Sequence, residues 1–204
     1  MARTYGSFSQ NTAPRVFKTA LRLFAQYGYA AVSMRQIASD VGVQVGALYN
    51  YTPDKQTLLF TIMRDHMENL LNAWEGRPQS NDPLVRLKDF IKFHLTFHLH
   101  KTDEVFVSYM ELRNLSEENF VVIEKLRRNY ELILEHILER GSNDGVFHIS
   151  DARVTTLALI GMLKEVGTWY RPEGRLSSKE ITNIYQDMVA HFLGVDSPVM
   201  PANR

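Results

Sequence analysis

The chain of 204 residues contains no cysteine, which excludes a disulfide framework, a thiolate metal site and a cysteine nucleophile. It has no run of about 18 apolar residues, the length that a membrane-spanning helix needs. The opening MARTYGSFSQNTAPR lacks the apolar stretch of a secretory signal. Because 45% of the residues are apolar, a sizeable core is possible, and we expect a soluble, cytoplasmic protein.

Common catalytic motifs are also missing. The sequence has no Gly-x-Ser-x-Gly elbow, no GxxxxGK phosphate loop and no His-Glu-x-x-His zinc motif. No pair of carboxylates stands out in a buried apolar stretch. An enzyme built on a helical bundle is therefore the less favoured alternative, and no cofactor is predicted.

The net charge is zero, but the charges are unevenly distributed. Six of the 23 basic residues and only two of the 23 acidic residues lie within the first 60 positions, so this end carries +4 and the remainder −4. The basic residues are Arg3, Arg15, Lys18, Arg22, Arg35 and Lys55. A basic end on an otherwise acidic chain indicates an anionic partner for that end.

Apolar residues recur with helical spacing along the whole chain, which predicts an all-α fold of about nine helices. Gly28 and Gly42 end the first two helices, Ser33 and Ser116 cap the second and seventh, and Ser177 with Glu180 forms a capping box. Pro53 is expected in the first turn of the fourth helix. The predicted helices span 14–27, 34–41, 44–50, 53–75, 84–100, 103–115, 117–140, 152–170 and 178–193.

The stretch GVQVGALYNYTPDK contains a helix of about seven residues, too short to be stable alone. A short helix with small side chains suits the DNA major groove, because Gly46 and Ala47 let the backbone approach closely. Tyr49, Tyr51 and Lys55 can reach phosphates. Anchoring of the helix by apolar residues would supply the missing stability.

The residues SMRQIASDVGVQVGALYNYTPDKQTLL resemble the helix-turn-helix signature of TetR-type transcriptional repressors, and the nine-helix layout resembles that family over the whole chain. The resemblance implies a helix-turn-helix DNA-binding domain at 1–58 and a ligand-binding and dimerisation domain at 59–204. Thr52 stands where the family usually has a large apolar residue. The candidate DNA-binding residues are Ser33, Arg35, Gln44, Val45, Gly46, Ala47, Tyr49, Asn50, Tyr51 and Lys55.

The resemblance also implies a homodimer formed by the last two helices. The apolar stripe of the last helix agrees, although that stripe can equally face its own core. His94 and His98 share a helix face, as metal ligands must, but no cysteine completes a site and no metal is predicted. The candidate effector-binding residues, which can also be plain core, are His66, Phe93, His94, Phe97, Tyr109, Tyr130, Trp169 and Arg171.

The segment TWYRPEGRLSSKEI is similar to the C-terminal part of TetR-type regulators of fatty-acid and steroid catabolism, which respond to acyl-CoA thioesters. Trp169 and Tyr170 would line a cavity, and Arg171 or Arg175 would meet a coenzyme A phosphate. The alternative is that Trp169 and Tyr170 end the eighth helix in the dimer interface and Arg171 is solvated.

These features together predict a repressor that binds a palindromic operator in double-stranded DNA as a dimer and is released by a small molecule, with an acyl-CoA thioester as the candidate. A repressor responding to another hydrophobic molecule is the alternative. A nonspecific architectural DNA binder would be far more basic overall.

Overall fold

The computed structural model describes residues 7–195, with side chains from Thr12 onward. Arg3 lies outside these residues. Within them the chain forms ten α-helical segments and one 3₁₀ turn, without a strand. The helices are α1 (Ser7–Tyr27), α2 (Met34–Val41), α3 (Val45–Leu48), α4 (Lys55–Glu75), α5 (Pro83–Leu99), α6 (Thr102–Met110), α7 (Glu117–Asn143), α8 (Ala152–Lys164), α9 (Val166–Trp169) and α10 (Ser178–Phe192), and the 3₁₀ turn is Leu112–Asn114.

The predicted all-α fold and nine-helix layout are confirmed. Only Glu165 separates α8 from α9, so these two segments occupy the place of the single helix predicted at 152–170. No helix in the described part of the chain is long and apolar enough to cross a membrane.

Two predicted helix starts differ from the structure by more than one residue. The first helix begins at Ser7 and contains Pro14, because one missing N–H does not prevent the preceding residues from being helical. The fourth begins at Lys55, two residues after Pro53. There the Asp54 carboxylate accepts a hydrogen bond from the Thr57 amide at 2.6 Å, so the side chain of Asp54 caps the helix.

The chain divides into two compact units, Met1–Leu70 with Asp103–Leu126, and Leu71–Thr102 with Arg127–Arg204. The predicted domain boundary after residue 58 falls inside α4 and stays a prediction. In the first unit, Leu23 and Phe24 of α1 pack with Ile37 of α2 and with Val107 and Ile123 of α6 and α7. The helix-turn-helix segment therefore shares one core with α6 and the start of α7.

In the second unit, α5 packs against α8, α9 and α10. Its buried residues include Phe90 and Ile91 of α5, Leu159 of α8 and Val189 of α10. The predicted capping box of α10 is present: Ser177 Oγ accepts a hydrogen bond from the Glu180 amide, and the Glu180 carboxylate accepts one from the Ser177 amide. The pKa of Glu180 is lowered first by the hydrogen bond that its carboxylate accepts from the Ser177 hydroxyl at 2.7 Å, and then by the one from the Ser177 amide.

Candidate nucleic-acid interface and aromatic cluster

The turn between α2 and α3 is fixed by a cap at each end of α2. Ser33 Oγ accepts a hydrogen bond from the Gln36 amide at 3.2 Å, which confirms the predicted N-cap. Gly42 has φ +79°, a left-handed conformation that favours glycine, and its amide donates to Ala38 and Ser39 carbonyls. The chain thereby reverses within three residues and starts α3 at Val45.

Helix α3 has a buried anchor and an exposed face. Leu48 is fully buried in the core of the first unit, and Val43 and Val45 pack beside it. Gln44, Gly46, Tyr49 and Asn50 are exposed, and Ala47 is half-buried. A Cβ added at Gly46 would meet no atom within 4 Å. The outer face of α3 thus carries small side chains, and Leu48 fixes its inner face in the core.

The other candidate DNA-binding residues surround this surface. Ser33 and Arg35 at the start of α2 are exposed, whereas Tyr51 is half-buried against the core. Thr52 is buried, and its hydroxyl donates to the Asp54 carbonyl at 2.9 Å. The Thr52 hydroxyl therefore has a hydrogen-bond partner, although a large apolar residue is usual at this position.

Lys55 is held by the protein itself. Its ammonium Nζ donates to the carbonyls of Tyr29 at 2.9 Å and Val32 at 2.8 Å, and it lies 4.3 Å from the centroid of the Tyr29 ring. Burial lowers the pKa of Lys55. Lys55 thus joins the α1–α2 loop to α4, and its contact with a phosphate stays a prediction.

Two more of the six basic residues also have partners inside the first unit. Arg15 Nη2 donates to the Val41 carbonyl at 2.8 Å, and Arg22 pairs with Asp40 at 2.6 Å across α1 and α2. Among residues 12–60, Lys18 and Arg35 are then the basic side chains without a hydrogen bond or ion pair. Arg35 is the one at the start of α2.

A buried carboxylate that the sequence analysis missed ties α6 to the helix-turn-helix segment. Glu111 Oε1 accepts from the Tyr29 amide at 3.1 Å and Oε2 accepts from Asn114 Nδ2 at 2.6 Å. Gln56 Nε2 donates to the Asn114 carbonyl at 2.8 Å. The α1–α2 loop and the first turn of α4 are therefore bonded to the segment that follows α6.

Four candidate effector-binding residues meet in the second unit. We call Trp74, Phe90, Phe93, His94, Phe97, His98 and Tyr130 the aromatic cluster. His94 Nδ1 is hydrogen-bonded to the Tyr130 hydroxyl at 3.0 Å, and the Phe90 ring stacks on Tyr130 at 5.3 Å. The rings of His94 and His98 are 4.2 Å apart. The cluster is buried except for Phe97, and it combines apolar rings with polar nitrogens and a hydroxyl.

The remaining candidate effector-binding residues lie elsewhere. His66 is buried and Tyr109 half-buried within the first unit. Trp169, the last residue of α9, and Arg171 are exposed, and Arg171 Nη1 donates to the Thr168 and Tyr170 carbonyls. The described residues contain no group of three or more side chains placed to hold a metal ion.

Helices α8 and α10 share an exposed apolar surface. Ile184, Met188 and Phe192 of α10 are exposed, and with Ala158 and Met162 of α8 they line a groove of about 750 Å³. The apolar residues predicted along α10 therefore lie on two faces of the helix. Ile181, Tyr185 and Val189 face the core, and the other side is uncovered.

Comparison with known proteins agrees with this geometry. The family "Bacterial regulatory proteins, tetR family" matches residues 16–62, and "Tetracyclin repressor-like, C-terminal domain" matches residues 80–193, more than half of the chain. The chain belongs to the TetR family. Members of the TetR family are transcriptional regulators and not enzymes, so the predicted class of protein and its helix-turn-helix DNA-binding domain are confirmed.

Relatives in the TetR family are similar over most of their length. The transcriptional repressor KstR2 of Mycolicibacterium smegmatis is 23% identical, with 85% of this chain and 86% of that protein covered. A tetR-family protein from Rhodococcus RHA1 has a TM-score of 0.85 at 26% identity, covering 91% and 98% of the two chains. AibR in complex with isovaleryl coenzyme A and operator DNA has a TM-score of 0.77 at 25% identity, covering 87% and 97%.

Proposed function

We propose that this TetR-family protein is a sequence-specific repressor that acts on chromosomal DNA in the cytoplasm, binds a palindromic operator as a dimer and is released by an acyl-CoA thioester. The observation that carries the proposal is the exposed, side-chain-poor face of α3 above the buried Leu48. A major groove about 12 Å wide admits a helix of this kind.

The proposed contacts to DNA form two groups, those to base edges and those to phosphates. Arg35, Gln44 and Asn50 carry exposed hydrogen-bonding groups for base edges, and Ala47 offers a methyl group to thymine. Ser33, Tyr49 and Tyr51 offer hydroxyl groups for phosphates. Gly46 and Val45 add no hydrogen-bonding group, so part of the sequence preference would come from DNA shape.

The dimer would form through the groove on α8 and α10. An exposed apolar surface of this kind on a soluble chain marks an interaction site. Two copies related by a two-fold axis would bury Ile184, Met188 and Phe192 against each other and would place two α3 helices on the two halves of an operator.

The effector class rests on the C-terminal segment and on AibR, whose structure contains isovaleryl coenzyme A. The aromatic cluster supplies an apolar site for an acyl chain, with His94 and Tyr130 as the polar groups that orient it. Arg171 is exposed and can pair with a phosphate. Release requires that the thioester bind more tightly to a conformation with misplaced α3 helices than to the DNA-bound one.

The hydrogen bonds of Glu111 give this release a physical path within the first unit. Because Glu111 bonds Tyr29 and Asn114, displacement of α6 would pull on the loop before α2. The loop and Lys55 together set the position of α2 and α3. A displacement of α6 would therefore change the position of α2 and α3.

Selection of genomic DNA fragments by the purified protein at physiological salt tests the proposal, repeated with straight-chain, branched and steroid-derived acyl-CoA thioesters and with their free acids. We expect an enriched inverted repeat that one class of thioester releases. Release by an uncharged hydrophobic compound alone would favour the other effector class. Enrichment of sequences without an inverted repeat would contradict binding of the operator by a two-fold symmetric dimer.

A further inference from the structure

The second unit contains a pocket that includes none of the candidate effector-binding residues. The end of α4, the loop 76–82, the first turn of α5 and the middle of α7 form it, and its volume is about 360 Å³. This volume lies within the roughly 300–1,000 Å³ typical of small-molecule sites. Trp74, Pro83, Ile133 and Ile137 give it apolar walls, and Arg86 and Arg140 give it positive charge.

Arg86 is the unusual residue of this pocket, because it is a cation with only 7% of its surface exposed. Its Nη1 donates to the Pro78 carbonyl at 3.1 Å, and its guanidinium carbon lies 4.1 Å from the centroid of the Trp74 ring. Among residues 12–195, no carboxylate forms an ion pair with it. Burial lowers the pKa of Arg86, the negative charge of Asp89 raises it in part, and the charge of Arg77 lowers it again.

Burial of a guanidinium without an ion-paired carboxylate is energetically unfavourable, because burial removes its hydration and the charge of Asp89 offsets this loss only in part. The guanidinium has five N–H donors, and the Pro78 carbonyl uses one of them. A carboxylate arriving in the pocket would supply the counter-charge and accept two parallel hydrogen bonds.

The rim of the pocket adds a second, weaker attraction for an anion. Arg140 is exposed and its Nε lies 3.7 Å from Asp144, a loose pair that leaves other donors available. His136 lies one turn earlier on the same helix and also lines the pocket. Glu75 is the acidic residue of the lining, and it would repel a dianion more strongly than a monoanion.

We propose that this pocket binds a small organic monocarboxylate, with its carboxylate on the Arg86 guanidinium and its apolar body against Trp74 and Ile137. Trp74 is also 5.3 Å, ring to ring, from both Phe90 and Phe93. A bound acid would therefore contact the aromatic cluster through Trp74, and the regulator would have a ligand site besides the one for its thioester effector.

Tryptophan fluorescence tests this site directly. The chain has two tryptophans, so Trp169→Phe leaves Trp74, which stacks on Arg86, as the single reporter. We would titrate this full-length variant with hexanoate and benzoate, with inorganic phosphate, which carries more negative charge than either acid at neutral pH, and with sodium chloride at matched ionic strength. We expect saturable changes with at least one carboxylate and only a shallow, linear change with chloride.

Two further substitutions in the Trp169→Phe background locate the binding. Arg86→Gln should weaken carboxylate affinity by about tenfold or more, because a charge-assisted pair of hydrogen bonds is lost. Arg140→Gln, at the exposed rim, should weaken it by about threefold. If circular dichroism shows that Arg86→Gln does not fold, Arg86→Lys replaces it, with weaker binding expected because an ammonium cannot form the two parallel bonds.

The proposal is overturned by the absence of saturation with both acids, by carboxylate affinity that the Arg86 variants leave unchanged, or by tighter binding of phosphate than of either carboxylate. The titration needs neither operator DNA nor an acyl-CoA. Its failure would therefore leave the proposed repressor function untouched, and the failure of that function would leave the pocket untouched.

Discussion

Lys55 of α4 stabilises the α1–α2 loop. Its ammonium donates to the carbonyls of Tyr29 and Val32, which lie more than 20 residues earlier in the chain. No local pattern predicts such a contact, because it depends on how the α1–α2 loop packs against α4. A lysine expected only at the DNA surface thus has a structural role.

Substitution Lys55→Met should therefore reduce the stability of the folded protein as well as DNA affinity. Loss of two hydrogen bonds from a charged group should lower the free energy of unfolding by about 2 kcal/mol, measured by urea denaturation. Lys18→Met removes the same charge from an exposed site on α1 and serves as the control, with a change below about 0.5 kcal/mol. Equal stability of the two variants would show that the Lys55 hydrogen bonds contribute nothing.

The spacing of Arg86 and Glu111 from apolar residues indicates in the sequence that both charged side chains are buried. Arg86 precedes Phe90 by four residues, and Glu111 follows Val107 by four, so each charge lies on the buried stripe of its region. A charged residue at such a position predicts a buried ion. Which partner satisfies the ion depends on distant segments and becomes visible only in the fold.

At the scale of elements, helix ends governed by local chemistry are predictable. Ser33, Ser116 and Ser177 each accept a hydrogen bond from the amide three residues later, as the sequence indicates. The start of α1 was missed, since Pro14 favours a helix start without forbidding an earlier one. Helix α3 is predicted at seven residues and has four, because Gln44 is its N-cap residue, without a side-chain hydrogen bond, and Tyr49 is its C-cap residue.

Two glycines of the helix-turn-helix segment should respond oppositely to alanine. Gly42→Ala forces a side chain into a left-handed conformation and should lower the free energy of unfolding by about 1 kcal/mol. Gly46→Ala meets open space within α3 and should raise it by up to about 1 kcal/mol. Urea denaturation of both variants measures the difference, and changes of the same sign would contradict the assigned backbone conformations.

The ion pairs of Glu135 with Arg128 in α7 and with Arg153 in α8 predict a dependence of stability on pH. A hydrogen bond from Arg128 lowers the pKa of Glu135, with smaller contributions from the charges of Arg128 and Arg153. A carboxylate whose pKa is lowered by folding stabilises the protein above its usual pKa near 4.5, and this stabilisation is lost as the pH falls through the lowered value.

In Glu135→Gln, the free energy of unfolding should therefore be lower at neutral pH and should decline less between about pH 6 and about pH 3 than in the unsubstituted protein. Glu173→Gln, at an exposed loop position, is the matched control and should leave the pH profile unchanged. A profile of Glu135→Gln that parallels the unsubstituted one would mean that this ion pair does not contribute.

At the scale of the whole molecule, the sequence resemblance correctly predicts the TetR family and its helical architecture. It does not indicate that α6 and the start of α7 share a core with the helix-turn-helix segment, because Val107 and Ile123 are distant from Leu23 and Ile37 in the sequence. Likewise, the individual cluster residues look like ordinary core. Their meeting around His94 and Tyr130 follows from the packing of α5 and α7.

The proposed dimer predicts that Met188→Asp yields a monomer. Met188 is 49% exposed at the groove on α8 and α10, so a carboxylate there would be buried without a partner in the dimer. Sedimentation equilibrium measures the assembly. Val121→Asp, at a 65% exposed apolar residue of α7, is the control and should remain a dimer. A dimeric Met188→Asp protein would place the interface elsewhere.

The central claim, that the outer face of α3 lies against DNA, is tested most directly by Gly46→Leu and its affinity for the selected operator. Gly46 is exposed and a Cβ there would meet no atom within 4 Å, so the unfolding transition should change little. In the major groove the same side chain would hold the helix away from the bases, and we expect affinity to fall by about 100-fold or more. Unchanged operator affinity in a normally folded Gly46→Leu protein would contradict the placement of α3 in the groove.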